Sequence, residues 1–477
     1  MDSGTSPAST AAHLYCGRRR KGADQAAADS PGLLSSGIPA LVHEECLTGF
    51  TSYGATVYPT AIAWAATFDP DLVERMAAAI GRDMAALGTH QGLSPVLDVV
   101  RDYRGGRVEA TMGEDPYLVA MLGAPYFRGL QSAGVIATCK HFAGYSASRG
   151  ARNHGPVPMG PARADGRDPA AVRGRCHAGK SGLGDELLRR CGQRAGRRGP
   201  LVAYRPASRP VGVRGNGRVG LLGSALLATA HRVAANIDDA GALALAAGID
   251  VELPDTIGFG AGLLDKVRSG EVPEALVDRA ARRVLLQKAE LGLLDPEWSP
   301  ARAVSTAGDI DLDSAENRAL AREMAERSVV LLDPGSALPL LGEGRPDLRK
   351  VAVVGPCPAD PRTFMGCYSF PNHVLPRHPD LGLGIEVPSA LDGLRAELTE
   401  IEIIHAPGCQ ILSTDRSGFA DAVSAAQQAD LCLAFVGDLA GMFGLGTSGR
   451  AARRRTCGFP ACRPICLTPC SRSAPRS

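Results

Sequence analysis

The sequence has no run of about 18 apolar residues, so no segment of it reads as a membrane-spanning helix. Its basic cluster Arg18-Arg19-Arg20-Lys21 follows a polar stretch with no apolar run behind it, so no secretory leader is expected. The cytoplasm is the expected compartment, and no membrane partner is expected. An excess of one charge is missing too: 52 Lys and Arg against 50 Asp and Glu leave a formal +2, too balanced for a nucleic-acid partner of the whole chain. Arginine clusters at Arg189-Arg190, Arg197-Arg198 and Arg453 to Arg455 have no interleaved aromatics on which bases could stack. Paired C-x-x-C knuckles are absent, and Cys457, Cys462, Cys466 and Cys470 stand at wider spacings, so no metal is expected. In a cytosolic chain of this size the 13 cysteines are expected to be mostly buried thiols.

What is present is enough chain, 477 residues with 45% hydrophobic, for two or three domains with cores of their own. Ile38-Pro39-Ala40-Leu41-Val42-His43 is a short apolar run ending in Glu44-Glu45, as a buried parallel strand ends at a functional rim. Asp69-Pro70 then supplies a helix cap and a proline at the first helical position. Leu72, Met76, Ile80, Met84 and Leu87 recur at helical spacing until Gly88 closes the segment. Leu93–Val100 reads as a strand, Asp115–Gly134 as helix, and Val135–Thr138 as a strand running into Lys140-His141. The pattern resumes with Ala242–Ala247, a strand at Ile249–Pro254 and a helix-rich stretch from Leu263 to Leu291. Strands separated by helices predict a parallel sheet with crossovers, either open or closed as a barrel. After a Pro/Ser/Thr/Asp-rich linker, 295–314, a second α/β unit is expected. It comprises helix Ala315–Arg327, strands at Val329–Leu332, Val351–Val354, Ile401–Ile404 and Leu431–Val436, and a helix at Ala420–Ala429.

Two stretches break this grammar. Between Pro161 and Val219 about one residue in five is Arg and about as many are Gly, with neither a helical nor a strand period. The tail from Arg450 is similar. Six of the 13 cysteines lie in these two stretches.

Several local patterns then act together. Gly37-Ile38-Pro39-Ala40-Leu41-Val42-His43-Glu44-Glu45, Arg101-Asp102-Tyr103-Arg104-Gly105-Gly106-Arg107, Gly113-Glu114-Asp115-Pro116-Tyr117-Leu118 and Cys139-Lys140-His141-Phe142-Ala143-Gly144-Tyr145 resemble the family 3 glycoside hydrolases, the β-glucosidase and β-xylosidase group. Ala246–Pro254, Ala325–Leu332 and Leu338-Pro339-Leu340 extend the resemblance in the same order. It implies an α/β chain in which an incomplete TIM-type (β/α) barrel, 37–294, is followed by a truncated α/β sandwich domain, 315–449. Residues 1–36 stay unassigned, 161–226 are aberrant, and 450–477 form an aberrant tail. It also implies Glu45, Arg107, Lys140 and His141 as contacts to a small β-glucoside or β-xyloside, with no cofactor. Taken singly, each has an ordinary alternative: Arg107 can pair with Glu109 or Glu114, and a histidine at a strand end is more often structural. In chemical terms a carboxylate, a guanidinium, an ammonium and an imidazole suit the hydroxyls of one ring.

A retaining glycosidase needs two carboxylates about 5 Å apart, one nucleophile and one acid/base. The resemblance puts the nucleophile in a Gly-Phe-x-Gly-x-Val-Val-x-Asp strand and the acid/base in Ser-Gly-Glu-Gly. Here the first is missing, with its place near Gly220, and Ser448-Gly449 is followed by Arg450, which cannot exchange a proton near neutral pH. The chain as written is therefore expected to be inactive. Synonymous codons for Gly212–Leu222, moved by one base, read Gly-Phe-Glu-Gly-Thr-Val-Val-Ser-Asp-Tyr, with the Asp codon straddling Gly220 and Leu221. Similar family-like solutions exist from Pro161 and from the last base of Gly449, the latter opening on Glu-Gly. A frameshift within 161–226 and another at 450 are thus expected. Two rivals remain: a non-catalytic product with residual sugar binding, and a dinucleotide site at Gly444/Gly446/Gly449. The second lacks both a following helix and an acidic residue beyond it.

Overall fold

The structure of the protein, a computed structural model, describes residues 38–141, 145–148, 155, 183–185, 216–219, 223–253, 256–299, 310–333, 338–339, 347–442 and 446–449, with 183–185 and 216–219 described by backbone alone. Its first sheet joins β1 (His43–Glu44), β2 (Gln91–Gly92) and β3 (Ile136–Ala137) in that order, all parallel, with His43 opposite Gln91 and Gln91 opposite Ile136. Parallel neighbours require crossovers. They are supplied by α1 (Ala61–Thr67) and α2 (Pro70–Ala86) before β2, and by α3 (Pro116–Ser132) before β3.

Local chemistry explains where these helices begin. Asp69 Oδ1 accepts from the amides of Asp71 and Leu72, both at 3.0 Å, ahead of Pro70 at the first helical position. The periodic stripe Leu72, Met76, Ile80 and Met84 is buried to within 1%. Another face of α2, formed by Glu74, Ala77, Ala78 and Gly81, meets α3 backbone to backbone: a Cβ at Gly129 would lie 2.3 Å from the carbonyl oxygen of Glu74. Trp64 of α1 stacks on Tyr126 of α3 with centroids 5.1 Å apart, and the Tyr126 hydroxyl donates to the carbonyl of Cys46 at 2.7 Å. That bond anchors the loop after β1 to the core.

A second parallel sheet has the order β4 (Leu183–Asp185), β5 (Asn216–Val219), β6 (Val251–Glu252). Helices α4 (Gly223–Thr229) and α5 (Ile237–Ala247) connect β5 to β6, and α6 (Ala261–Arg268) and α7 (Glu274–Glu290) follow. Strands β4 and β5 lie inside the Arg/Gly-rich stretch, where the side-chain pattern predicts nothing regular. They are defined by backbone ladders, which leave no trace in a sequence that lacks alternation.

The second unit opens with α8 (Ala315–Arg327), at the predicted bounds. Its sheet has the order β8 (Glu402–Ala406), β7 (Lys350–Val354), β9 (Leu431–Ala434), all parallel, with α9 (Ala390–Glu397) and α10 (Phe419–Gln427) as crossovers. Val351 to Val354 of the central strand are fully buried, the continuous apolar run expected of a strand covered on both faces. Helix α8 packs on the first unit, where Leu320 and Met324 join the core around α2.

Two predicted strands differ. Leu93–Val100 forms no ladder beyond β2 except a single bridge between Val96 and Lys140. Val329–Leu332 forms no strand; all four side chains are more than 60% exposed. A β-branched run predicts pairing only where a neighbouring edge is available. Among the described residues no helix is long and apolar enough to cross a membrane, and no cluster of His, Cys, Asp or Glu could hold a metal ion. Six cysteines lie among the described residues, Cys46, Cys139, Cys357, Cys367 and Cys409 buried and Cys432 partly so. The four tail cysteines lie outside the described residues.

Candidate functional site

The carboxyl ends of β1, β2 and β3 point to one rim because the three strands are parallel, and four chemically active side chains follow them there. Glu45 follows β1, Asp98 sits six residues beyond β2, and Lys140-His141 follow β3. Arg107 arrives from the loop between β2 and α3, between two short 3-10 turns, Tyr103–Gly105 and Val108–Ala110. The four predicted residues Glu45, Arg107, Lys140 and His141 therefore converge.

Lys140 Nζ lies 3.0 Å from Glu45 Oε2, with side chains only 6% and 12% exposed. A buried pair of this kind is held by its own geometry, since either charge left alone is costly. His141 Nδ1 lies 2.6 Å from Asp98 Oδ2, and its Nε2 lies 3.4 Å from Arg107 Nη1. Arg107 is always a donor, so the consistent assignment has Nδ1–H donating to Asp98 and Nε2 accepting from Arg107. Asp98 thus fixes the tautomer of His141, and His141 orients the guanidinium. Arg107 reaches His141 rather than Glu109 or Glu114. Its Nε and Nη2 are buried without a hydrogen-bond partner among the described residues.

Aromatic rings complete the cluster. His141 stacks on Tyr145 with centroids 4.3 Å apart. Tyr368, from the second unit, lies 5.2 Å from the Arg107 guanidinium and 5.5 Å from Lys140 Nζ, so its ring faces both cations. Thr51 Oγ1 donates to the Tyr368 carbonyl at 2.8 Å, tying that segment to the first unit. A narrow cleft of about 30 Å³ is lined by Asp98, Asp102, Arg107, Tyr145, Ser146 and Ser148. A larger one, about 340 Å³, runs between the two units past Tyr103, Glu109, Phe364, Asp438 and Ser448. The larger cleft is of a size that suits a small polar ligand, whereas the smaller has room for about one water.

Neither position at which a catalytic carboxylate is expected, Gly220 or Arg450, is among the described residues. Their immediate neighbours are. Strand β5 ends at Val219, one residue before Gly220, with Val219 opposite Glu252. Gly449, one residue before Arg450, donates its amide to Gly106 O at 2.7 Å, beside Arg107. The glycine fingerprint resolves differently from a dinucleotide loop: Gly444 lies outside the described residues, and no helix opens at 446–449. Ser448 instead bridges to Ala440.

Asp98, Tyr145 and Tyr368 are absent from the sequence prediction. Asp98 stands in Leu97-Asp98-Val99-Val100, which reads as strand interior, although an acid in an apolar run beside a rim is itself a signal. Tyr368 has none, because its neighbours are more than 200 residues away in sequence.

Residues 19–168 match the profile described as the glycosyl hydrolase family 3 N terminal domain. A β-xylosidase of Formosa agariphila is 32% identical over 441 residues, covering 86% of this chain and 58% of the xylosidase. The chain thus spans a little over half the length of that relative. A β-glucosidase involved in saponin metabolism from intestinal bacteria superposes with a TM-score of 0.79 at 23% identity, over 94% of this chain and 62% of its own. The Listeria innocua β-glucosidase in complex with isofagomine superposes with a TM-score of 0.72 at 24% identity, over 89% and 56%.

Proposed function

Because this chain belongs to the family 3 glycosyl hydrolases, we propose that it descends from a retaining β-glycosidase of the β-glucosidase or β-xylosidase type. Its first unit is read as a TIM-type barrel that is incomplete across 161–226, and its second as an α/β sandwich. The observation that carries the reading is the convergence of Glu45, Asp98, Arg107, Lys140 and His141 at the carboxyl rim of three parallel strands, beside a cleft. Buried Arg107 nitrogens without a partner among the described residues suit the hydroxyls of a monosaccharide unit.

In the intact chemistry an aspartate attacks the anomeric carbon while a glutamic acid protonates the leaving oxygen. The same glutamate then activates water to release the sugar. The end of β5 and the residue after Gly449 are sensible places for these groups. The first is a carboxyl strand end, and the second adjoins the Arg107 loop. The chain as written has neither carboxylate, so it retains a sugar seat without the machinery for hydrolysis. A one-base slip in the gene within 161–226, and another at 450, accounts for both losses. The profile match stops at residue 168, inside the first of these stretches.

Two measurements test this. Aryl β-glucosides and β-xylosides incubated with the chain as written are expected to hydrolyse no faster than in buffer, and turnover above buffer overturns the inactivity. A chain re-coded in the shifted frames is expected to be active. The sugar seat is tested separately by calorimetric titration with isofagomine, whose failure to bind overturns the site. Resequencing the gene across Pro161, Leu226 and Gly449 decides the frames.

A further inference from the structure

We propose that Glu109 is a positioning residue that clamps two segments of the second unit against the sugar seat and thereby sets the orientation of Arg107, an inference that rests on the sugar-site reading above. Glu109 stands two residues past Arg107, in the Val108–Ala110 turn. Its Oε1 accepts the amide of Cys367 at 2.8 Å, and its Oε2 accepts the hydroxyl of Ser448 at 3.4 Å. These donors come from segments some eighty residues apart, and Glu109 is where both meet the first unit.

The consequences reach Arg107 along two short routes. Cys367 precedes Tyr368, whose ring lies 5.2 Å from the guanidinium. Ser448 precedes Gly449, whose amide donates to Gly106 O on the other side of Arg107. Gly449 has a φ of +98°, and a Cβ there would meet Gly441 O at 2.4 Å and the Cys367 Cβ at 2.7 Å. The 367 and 449 segments therefore pack too closely to move independently of each other. Thr51 holds the Tyr368 carbonyl from a third direction. A loop fixed at 106 and 109 by the second unit leaves residue 107 little freedom. Withdrawal of the Glu109 carboxyl from water pushes its pKa upward, against the pull of Cys367, Ser448 and Arg107, as expected of an acid enclosed at a junction.

Three proteins test the clamp: the full chain, Glu109→Gln and Glu109→Asp. Gln keeps the reach, offering an oxygen to the Cys367 amide and an NH₂ to Ser448 Oγ. Asp keeps the charge but withdraws the carboxylate by one methylene. Isofagomine affinity is expected to stay within about twofold in the Gln variant and to fall about tenfold or more in the Asp variant, since small misplacements of a binding group are costly. Arg107, mapped by mass spectrometry after phenylglyoxal treatment, is expected to label faster in the Asp variant and at the wild-type rate in the Gln variant. Wild-type affinity together with wild-type labelling in Glu109→Asp overturns the proposal, as does a Gln variant as impaired as Asp. Labelling that rises while affinity holds also overturns it, because the clamp then does not position Arg107 for the sugar. If the wild type binds no isofagomine, the sugar-site reading falls by itself, and the labelling comparison alone decides the clamp. If Glu109→Asp does not fold, Ser448→Ala removes one of the two donors and carries the same comparison.

Discussion

Lys140 and Glu45 illustrate how much of this site is a property of single side chains. Their charges are withdrawn from water and face each other at 3.0 Å. Lys140→Met strands the Glu45 carboxylate, and a loss of about 3–5 kcal/mol in unfolding free energy is expected by denaturant titration. Asp98→Asn is the complementary case. An amide in place of the carboxylate removes the fixed acceptor for His141 Nδ1–H, so isofagomine affinity should fall while the melting temperature moves little. Asp83, far from the site, is a proton-linked residue. Burial lifts its pKa to about 7, against the pull of its hydrogen bond from Asn317 and of Arg82. The folded protein therefore holds a proton there that the unfolded chain, with an ordinary carboxylate near pH 4, gives up. Its contribution is fully present below about pH 4 and is lost as pH rises through about 7. Asp83→Asn is expected to flatten the fall in melting temperature across that window, and an unchanged slope refutes the assignment. Of these residues, Lys140 and Glu45 were legible in the sequence because they end apolar runs. Asp98 and Asp83 were not, because burial depends on partners the local pattern does not name.

Helices were the most legible elements because their signals are local. Asp69-Pro70 and Gly88 bracket α2, Asp115-Pro116 opens α3, and Ser314 caps α8 through the Asn317 amide. The strands were less so. Those of the first sheet are two residues long, while the apolar runs that announce them extend well past the ladder. Strands β4 and β5 lie in text with no period at all. The close approach of α2 and α3 was also invisible, since it depends on the absence of a side chain. At Gly129 of α3 an added methyl meets Glu74 O, Ala77 Cβ and Ala78 N of α2 at 2.3 to 2.9 Å. Gly129→Ala gains helix propensity yet forces the pair apart. A net loss of about 1–3 kcal/mol is expected from overpacking, read by thermal or denaturant melting.

At the scale of the whole molecule the exposed run Val329-Val330-Leu331-Leu332 stands out, with Leu332 91% exposed. Four consecutive apolar residues of high strand propensity in water are a template for pairing with another chain. Replacing Val330 and Leu332 with Lys is expected to reduce concentration-dependent association in light scattering, with the melting temperature unchanged. The order of strands and helices was legible from their alternation. The junction between the two units was not, because it is made by residues distant in sequence: the bonds Glu109 to Cys367 and Thr51 to Tyr368, and a buried cluster that joins Leu47, Val96 and Ala110 to Tyr368, Ala440 and Met442.

That junction bears on how such a site can be inherited. The cations at the rim belong to the first unit, and the ring facing them belongs to the second. A gene fragment encoding the first unit alone would deliver Arg107 and Lys140 without that aromatic face. Any duplication, fusion or loss that separates the halves divides the proposed sugar seat, so residues on its two sides are expected to change together.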